Sequence, residues 1–290
     1  MDTIRRVWQV TKSRPTLEGA GVKLKRAFGF SEAPNLDPFL LLDHFGSENP
    51  EDYLAGFPWH PHRGMETVTY MIRGEVEHGD SLGNRGTIRS GDVQWMTAGS
   101  GIIHQEMPRK MAGLMTGFQL WVNLPAAHKM MAPRYRDILA GQIPEISSGD
   151  GVRLKIVSGE IRGVRGPVTD LVVETEYLDV ALDPVAEWRH PVASGKTACA
   201  YLFEGSGFFD PDRDREVPPG HLVVLGDGER VHVSAGTRGA RFILVSGKPL
   251  HEPVAWRGPI VMNTEAELEQ AFREYREGTF IKSKQVRRDP

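Results

Sequence analysis

The residues FPWHPHRGMETVTYMIRGEVEHGD (57–80) and GDVQWMTAGSGIIHQE (91–106) decide the fold that is expected for this chain. The run ETVTYMIR (66–73) is rich in β-branched and aromatic residues, which favour strands. Glycine-containing turns separate this run from the short apolar segments that follow it. Short strands at this spacing predict a small antiparallel β-barrel or sandwich.

The same rhythm of strands and turns returns in the second half of the chain. Between the halves, residues 125–139 break the pattern and are interpreted as a linker or short helical turns. Strand signals then resume at 152–157, 169–182, 198–204, 221–225, 230–233 and 240–246. We interpret this as a duplicated architecture with little remaining sequence identity. The prediction is two tandem β-barrels, an N-terminal domain at 1–135 and a C-terminal domain at 136–290.

One helix is predicted near the end of the chain. Thr264 and Glu267 have the spacing of a capping box, and apolar residues follow at about helical spacing as far as Arg276. Gly278 is a helix stop signal. We therefore expect an all-β protein with one short C-terminal helix.

Composition limits the classes of function. The formal net charge is -3, with acidic and basic residues interspersed, which argues against direct nucleic-acid binding. The single cysteine excludes an internal disulfide framework. No apolar run is long enough to span a membrane, and residues 1–12 lack the core of a signal peptide. We expect a cytoplasmic protein without membrane contact; entry into a nucleus is also compatible with the sequence.

Two pairs of potential metal ligands stand out, His60 with His62 and His104 with Glu106. Alternate residues of a strand face the same side, so each pair would direct both groups to one point. Pro61 lacks an N–H, so its segment is expected at a sheet edge or in irregular structure. The nitrogen and oxygen donors suit Fe(II), Mn, Ni, Cu or Zn better than Ca or Mg.

Each pair alone has a simpler interpretation. An isolated His-x-His segment is equally consistent with two surface histidines in a loop, and a lone His-x-Glu segment carries little information. Together the pairs favour one mononuclear metal site. Four protein ligands would leave two open positions on a six-coordinate metal, as in a site for substrate or O₂.

Longer motifs carry a family resemblance. Besides the opening stretch they are NLDPFLLLDHFG (35–46), GKPLHEPVAWRGPIVMNT (247–264) and YREGTF (275–280). Over essentially its whole length the chain resembles the pirin family of the cupin superfamily. The resemblance implies a bicupin, with two tandem cupin β-barrels and one metal, usually iron, in the N-terminal barrel. The implied ligands are His60, His62, His104 and Glu106.

The carboxylate ligand has two candidates. In the general cupin pattern a glutamate follows His-x-His after three or four residues, and Glu66 fits that spacing. In pirins the carboxylate lies two residues beyond the third histidine, which is Glu106 here. We favour Glu106 as the ligand and interpret Glu66 as structural or as an outer group that orients an imidazole.

The remaining candidates are interpreted as structural or surface groups. His44 is expected in a turn and His78 in a solvated hairpin. Five more histidines lie outside any His-x-His…His-x-Glu pattern, so the second barrel is predicted to lack a metal: His128, His190, His221, His232 and His251. Cys199 is predicted to be a core residue, and Gly205–Gly207 a hairpin turn without P-loop context. Six residues fit cavity walls and core equally well: Trp59, Met65, Trp95, Met96, Met115 and Phe118.

The resemblance implies two kinds of function. Bacterial pirins resemble quercetin 2,3-dioxygenases, which cleave the central ring of a flavonol with O₂ and release carbon monoxide. Glu106 would then also accept the hydroxyl proton of the substrate. The alternative is a non-enzymatic metal or redox sensor that acts through protein partners, as a transcriptional co-regulator or a modulator of metabolic enzymes. A third interpretation is a metal-binding stress protein without turnover.

Overall fold

A computed structural model of the chain describes residues 3–282 and 287–288. Its strands in the first half are β1 (Val7–Lys12), β2 (Arg14–Glu18), β3 (Val22–Phe28), β4 (Phe39–Ser47), β5 (Phe57–His62), β6 (Met65–Arg73), β7 (Glu75–Asp80), β8 (Arg85–Arg89), β9 (Val93–Thr97), β10 (Ile102–Pro108), β11 (Met115–Asn123) and β12 (Arg134–Ile138). Short 3₁₀ turns occupy Ala33–Asn35, Pro50–Asp52, Ala126–His128 and Ala140–Gln142.

The second half continues with strands and ends with the helix. The strands are β13 (Glu145–Ser148), β14 (Val152–Ser158), β15 (Glu160–Ile161), β16 (Val164–Arg165), β17 (Thr175–Leu182), β18 (Glu187–Pro191), β19 (Thr197–Phe208), β20 (His221–Leu225), β21 (Arg230–Gly247), β22 (Ala255–Arg257), β23 (Ile260–Met262) and β24 (Arg287–Arg288). Helix α1 spans Glu265–Arg276 and lies between β23 and β24. The expected all-β class with one short helix is confirmed.

The chain forms two compact units, each assembled from separate segments. The N-terminal unit contains Pro15–Ala33, Phe39–Ala140 and Leu250–Pro290, and the C-terminal unit contains Met1–Arg14, Pro34–Pro38 and Gly141–Pro249. This division differs from the single boundary between residues 135 and 136 that the sequence suggested. The reason is long-range pairing: β1, for example, pairs with β20, so the first strand belongs to the sheet of the C-terminal unit.

The N-terminal unit is built on two sheets. One has the order β2–β3–β4–β11–β6–β9–β12–β24, and the other has the order β5–β10–β7–β8. Val22 and Met71 from the first sheet and Val76 and Ile88 from the second share one buried cluster. These are two open sheets around a shared core, which agrees with the sandwich that the sequence allowed beside a barrel.

The C-terminal unit has one main sheet. Its order is β1–β20–β19–β21–β17–β14–β13, and β18 also pairs with β21. The buried core of this unit includes Ile156, Leu178, Trp188 and Phe242. Alternation of aliphatic and polar residues explains most of these strands, because one face of each packs on that core.

Local sequence signals succeeded at some elements and failed at others. In β3, Val22 is buried and Lys23 is exposed, as their alternation predicted. In α1, Thr264 accepts a hydrogen bond from the backbone of Glu267, and the capping box is complete. The linker expected at 125–139 was partly wrong, because Arg134–Ile138 is a strand that pairs with β9. No helix among the described residues has the length and apolarity that a membrane span requires.

Candidate metal centre

The strands that carry the two ligand pairs are neighbours. β10 pairs antiparallel with β5, and His104 lies opposite His60. β5 is the edge strand of its sheet. Pro58 and Pro61 within β5 have no N–H to donate, which suits an edge position. The pairing that the spacing predicted is therefore present.

Three imidazoles converge at this pairing. The potential ligand atoms of His60, His62 and His104 all lie within 4.8 Å of one another. Nε2 of His60 lies 3.0 Å from Nε2 of His62. The ring centroid of His104 lies 4.4 Å from that of His60 and 5.0 Å from that of His62. This cluster can bind one metal ion.

Backbone carbonyls fix the orientation of two of these rings. Nδ1 of His60 donates to the carbonyl of Pro58 over 2.8 Å, and Nδ1 of His62 donates to the carbonyl of Pro259 over 3.2 Å. Each Nε2 therefore keeps its lone pair, in the arrangement that metal-binding histidines usually have.

His104 supplies an independent test of the fit to a metal. Both of its ring nitrogens are buried and have no hydrogen-bond partner among the described residues. Buried polar atoms nearly always have a partner. A metal ion bound at the cluster would supply one to His104.

The pKa values of the three histidines favour the metal-binding form. Burial lowers the pKa of His104 and of His62 well below the ordinary value, and repulsion from neighbouring imidazoles adds to this. Burial also lowers the pKa of His60, although its bond to Pro58 opposes the shift. Neutral imidazoles need lose no proton when a metal binds.

Glu106 lies beside the cluster but outside the compact group of ligand atoms. It is buried on β10, two residues after His104, and the register of β10 with β5 shifts between these two positions. The hydroxyl of Thr69 donates to Oε1 of Glu106 over 3.0 Å. Burial raises the pKa of Glu106 to about 7, and the bond from Thr69 opposes this. Its role as a ligand stays a prediction.

Glu66, the alternative carboxylate, is hydrogen-bonded to β9 through both of its oxygens. Its side chain is completely buried and accepts hydrogen bonds from Nε1 of Trp95 over 3.1 Å and from Oγ1 of Thr97 over 2.5 Å. Each carboxylate oxygen has its own donor, and both donors lie on β9. This favours the interpretation of Glu66 as a structural group.

Two histidines near the site are placed differently from expectation. His44 lies within β4 instead of a turn, and its ring stacks on Phe118 at 4.7 Å. Burial, with a smaller effect of Lys25, lowers the pKa of His44 to about 4. His78 was expected to be solvated, but it is buried on β7 and stacks on Tyr135. Each ring packs against one aromatic side chain that is distant in sequence, so neither position could be inferred from the neighbouring residues.

The C-terminal unit places its candidates in structural roles. Nε2 of His190 lies 2.9 Å from the carboxylate of Glu176. Cys199 is buried in β19, as predicted, and burial raises the pKa of its thiol to about 12. The turn expected at Gly205–Gly207 is wrong, because these residues lie within β19 at an irregular register where Gly205 has a φ of 70°. Within the part of the chain that the structure describes, the cluster of three potential metal ligands is His60, His62 and His104, all in the N-terminal unit.

A cavity of about 670 Å³ opens onto His60 and His62. Its walls are largely apolar and include Phe30, Leu41, Phe57, Pro58, Trp121 and Trp256. This volume falls within the ordinary range of small-molecule sites. The residues considered from sequence lie elsewhere: Met65, Trp95, Met96, Met115 and Phe118 are completely buried, whereas Trp59 is 51% exposed.

Three aromatic side chains form a continuous row of contacts along the cavity wall, beginning beside His62. The ring of Trp121 meets His62 edge-on at 5.2 Å, and Trp256 lies 6.1 Å from Trp121. Phe30 follows at 5.4 Å from Trp256. Sequence reasoning missed this wall, because β11, β22 and the segment after β3 are far apart in the chain.

Two buried basic side chains, which sequence reasoning did not identify, brace the turn that follows His62. Arg63 is 2% exposed, and its Nε donates to the carbonyl of Ser100 over 2.8 Å. Nζ of Lys129 donates to the carbonyl of Gly64 over 2.8 Å. Gly64 has a φ of 77°, and a Cβ there would lie 1.9 Å from the carbonyl oxygen of Val261. The turn between the ligand strand and β6 therefore requires glycine.

Two family models match the chain. The model described as Pirin matches residues 21–122, and the model described as Pirin C-terminal cupin domain matches residues 177–281. The chain belongs to the pirin family. The resemblance and the bicupin fold class are confirmed. The second match extends beyond residue 250 into the segment that the structure assigns to the N-terminal unit.

Individual relatives cover nearly the whole chain. A Pseudomonas aeruginosa protein that carries the provisional name quercetin 2,3-dioxygenase is 42% identical over 286 residues, which cover 96% of this chain and 99% of that protein. Human pirin is 41% identical over 279 residues, which cover 95% of this chain and 94% of human pirin. A crystal structure of quercetin 2,3-dioxygenase from Acinetobacter baumannii superposes with a TM-score of 0.89 at 32% identity, over 96% of this chain and 98% of that one.

Proposed function

We propose that this pirin-family protein is a dioxygenase that uses one divalent transition metal, Fe(II), to cleave a quercetin-type flavonol with O₂. The observation that carries the proposal is a cluster of three imidazoles, two of which, His60 and His62, line a largely apolar, aromatic-walled cavity of about 670 Å³. A planar aromatic substrate suits such walls. The likeness to quercetin dioxygenases adds support.

The protein residues have separate roles in this proposal. His60, His62 and His104 hold the metal, which when bound supplies Lewis acidity and a place for O₂. Trp121 and Trp256 position the rings of the substrate by packing against their faces. The surrounding apolar side chains exclude water, which strengthens the electrostatic interactions inside the cavity.

Glu106 is proposed as a fourth ligand and as the acceptor of the flavonol hydroxyl proton. It follows His104 on the same strand and is buried, and Thr69 holds one of its carboxylate oxygens. A buried carboxylate at this position can take a proton and return it later. Anaerobic binding of the flavonol to Glu106→Gln tests this role. The absorption change that marks deprotonation of the bound flavonol should then be absent. Normal deprotonation in that variant would refute the role.

The activity itself is tested by two coupled measurements. Iron-loaded protein should consume O₂ while flavonol absorbance falls, with one O₂ used per flavonol and carbon monoxide released. His60→Ala should lose both signals together with bound iron. His221→Ala is the matched control, since that histidine lies in the C-terminal unit and bonds the carbonyl of Pro218. Equal activity of wild type and His60→Ala would refute a metal-dependent dioxygenase.

A second outcome would favour the regulatory alternative. Iron-loaded protein that binds metal through the three histidines but turns over no flavonol would contradict the enzyme proposal. A metal-dependent or redox-dependent protein partner would then be the next hypothesis. The cytoplasmic location is likewise a proposal, and fractionation of the native cells would test it.

A further inference from the structure

One polar pair interrupts the apolar walls of the cavity. Arg26 lies on β3 and Asp43 on β4, and the two are direct cross-strand partners. Nε of Arg26 donates to Oδ1 of Asp43 over 2.9 Å, and Nη2 donates to Oδ2 over 2.8 Å. Both residues line the same cavity as His60 and His62. A bidentate ion pair of this kind fixes the positions of both side chains.

The pair keeps unused hydrogen-bonding capacity. Nη2 of Arg26 also contacts Glu18 at 2.8 Å, so its bonds to the residues that the structure describes involve Nε and Nη2 but not Nη1. Each oxygen of Asp43 accepts one bond from Arg26, and a carboxylate oxygen can accept more than one. The pair therefore offers a donor and an acceptor side by side.

The histidines and this pair belong to different sheets of the N-terminal unit. His60 and His62 lie on β5 of the four-stranded sheet, whereas Arg26 and Asp43 lie on strands of the eight-stranded sheet. The cavity is thus lined by histidines from one sheet and by the Arg26–Asp43 pair from the other. A ligand that fills it would meet polar groups from both sheets.

We propose that Arg26 and Asp43 form a subsite that recognises a phenolic hydroxyl on a part of the substrate away from its metal-binding group. The inference rests on the proposed flavonol function. The hydroxyl donates to Asp43 and accepts from Arg26, which matches the donor and acceptor on offer. A carboxylate or sulfate is disfavoured there, because Arg26, Asp43 and Glu18 together carry one net negative charge.

A simple strand-bracing ion pair is the competing explanation. Lys23 on the same strand forms an exposed ion pair for comparison: its Nζ lies 2.7 Å from Asp52, and its side chain is 66% exposed. Asp43 is only 4% exposed and faces a cavity. Burying a charged pair carries a desolvation cost that an exposed pair avoids. A ligand that bonds to the pair would offset part of that cost.

The test compares two ligands that differ in distal hydroxyls. 3-Hydroxyflavone has only the metal-binding hydroxy-ketone, whereas quercetin carries further hydroxyls on both outer ring systems. Dissociation constants are measured under argon with metal-loaded protein, from the absorbance of the bound flavonol. The wild type should bind quercetin about tenfold more tightly than 3-hydroxyflavone, as one added hydrogen-bonded group would allow.

The variant Arg26→Met with Asp43→Ala removes the pair without adding bulk to the cavity wall. It should lose most of the preference for quercetin and retain the affinity for 3-hydroxyflavone. Lys23→Met is the matched control on the same strand and should keep the full preference. If the double variant does not fold, Asp43→Asn keeps the shape and should lower the preference in the same direction.

The outcomes separate this inference from the proposed function. The subsite would be overturned if the variants kept the preference for quercetin. It would also be overturned if they lost affinity for quercetin and 3-hydroxyflavone equally. Wild-type discrimination without any O₂-dependent turnover would support the subsite and refute the dioxygenase. Where turnover occurs, the variant should raise KM for quercetin with little change in kcat, because the pair does not touch the reacting atoms.

Discussion

Nη1 of Arg63 donates to Oε2 of Glu274 over 2.8 Å and thereby joins the residue after His62 to helix α1. The same guanidinium donates from Nη2 to the carbonyl of Phe280 over 2.8 Å and lies 4.1 Å from the centre of the Phe280 ring. His62 itself bonds to Pro259. The segment after residue 250 therefore orients β5, the strand that carries His60 and His62, although it is distant in sequence.

Glu274→Gln should weaken folding stability at neutral pH and less so in acid. Although burial opposes ionisation, hydrogen bonds from Lys282, Arg63 and Gln270 lower the pKa of Glu274 to about 2. A carboxylate with a lowered pKa stabilises the fold above its unfolded pKa near 4.5, and this contribution disappears as pH falls towards 2. Loss of the charged bond to Arg63 should cost about 2 kcal/mol at pH 7.

Denaturant unfolding of wild type and variant at several pH values checks this. The difference in unfolding free energy should shrink steadily between pH 4.5 and the most acidic pH at which the wild type still folds. Gln270→Ala is a milder control, because Arg63 keeps its charged partner. A difference that stays constant with pH would contradict the assignment.

A metal bound at the histidine cluster should stabilise the folded protein. Ligand binding to the native state alone raises stability by about 2.7 kcal/mol when the free metal is at 100 times its dissociation constant. Addition of Fe(II) or Ni(II) under argon should raise Tm of the metal-free wild type. His104→Ala should show little of this rise, because the ligand strand β10 then lacks its imidazole. A similar rise of Tm in both proteins would indicate that the metal binds outside the histidine cluster.

Short-range patterns predicted the parts of the fold that depend on local geometry. His60 and His62 face one way because strand side chains alternate, and the capping box at Thr264 involves residues only three positions apart. The metal cluster also needed β5 and β10 to pair. That step was predictable because short hairpin strands fill the interval between them.

Long-range contacts were not predictable from these patterns. Arg63 and Glu274 are 211 positions apart, and no periodicity connects them. The exchange of terminal segments between the two units has the same origin, as does the contribution of Trp256 to the cavity. The sequence patterns did not predict β18 for a different reason. Its buried and exposed residues alternate, but one of the buried positions is His190, which does not count as apolar.

Thr69→Val should weaken metal binding without changing the three imidazoles. The variant is nearly isosteric and removes the hydroxyl that holds Glu106. Loss of an outer group that orients a metal ligand typically lowers affinity about 10- to 100-fold. Competition with a chromophoric chelator measures the change. Thr116→Val is the control, since its hydroxyl bonds His44 instead. Equal affinity in wild type and Thr69→Val would argue that Glu106 does not contribute to the metal site.

Cys199 should be inert towards thiol reagents in the folded protein. Its side chain is buried in the core sheet of the C-terminal unit, and burial raises the pKa of the thiol to about 12. The thiolate is the reactive form, so almost none is present at neutral pH, and access is blocked as well. Reaction with a disulfide reagent should be complete in denaturant and undetectable without it over the same period. Rapid labelling of the native protein would contradict the buried position. Cys199→Ala is the control and should show no labelling in denaturant, because it contains no thiol.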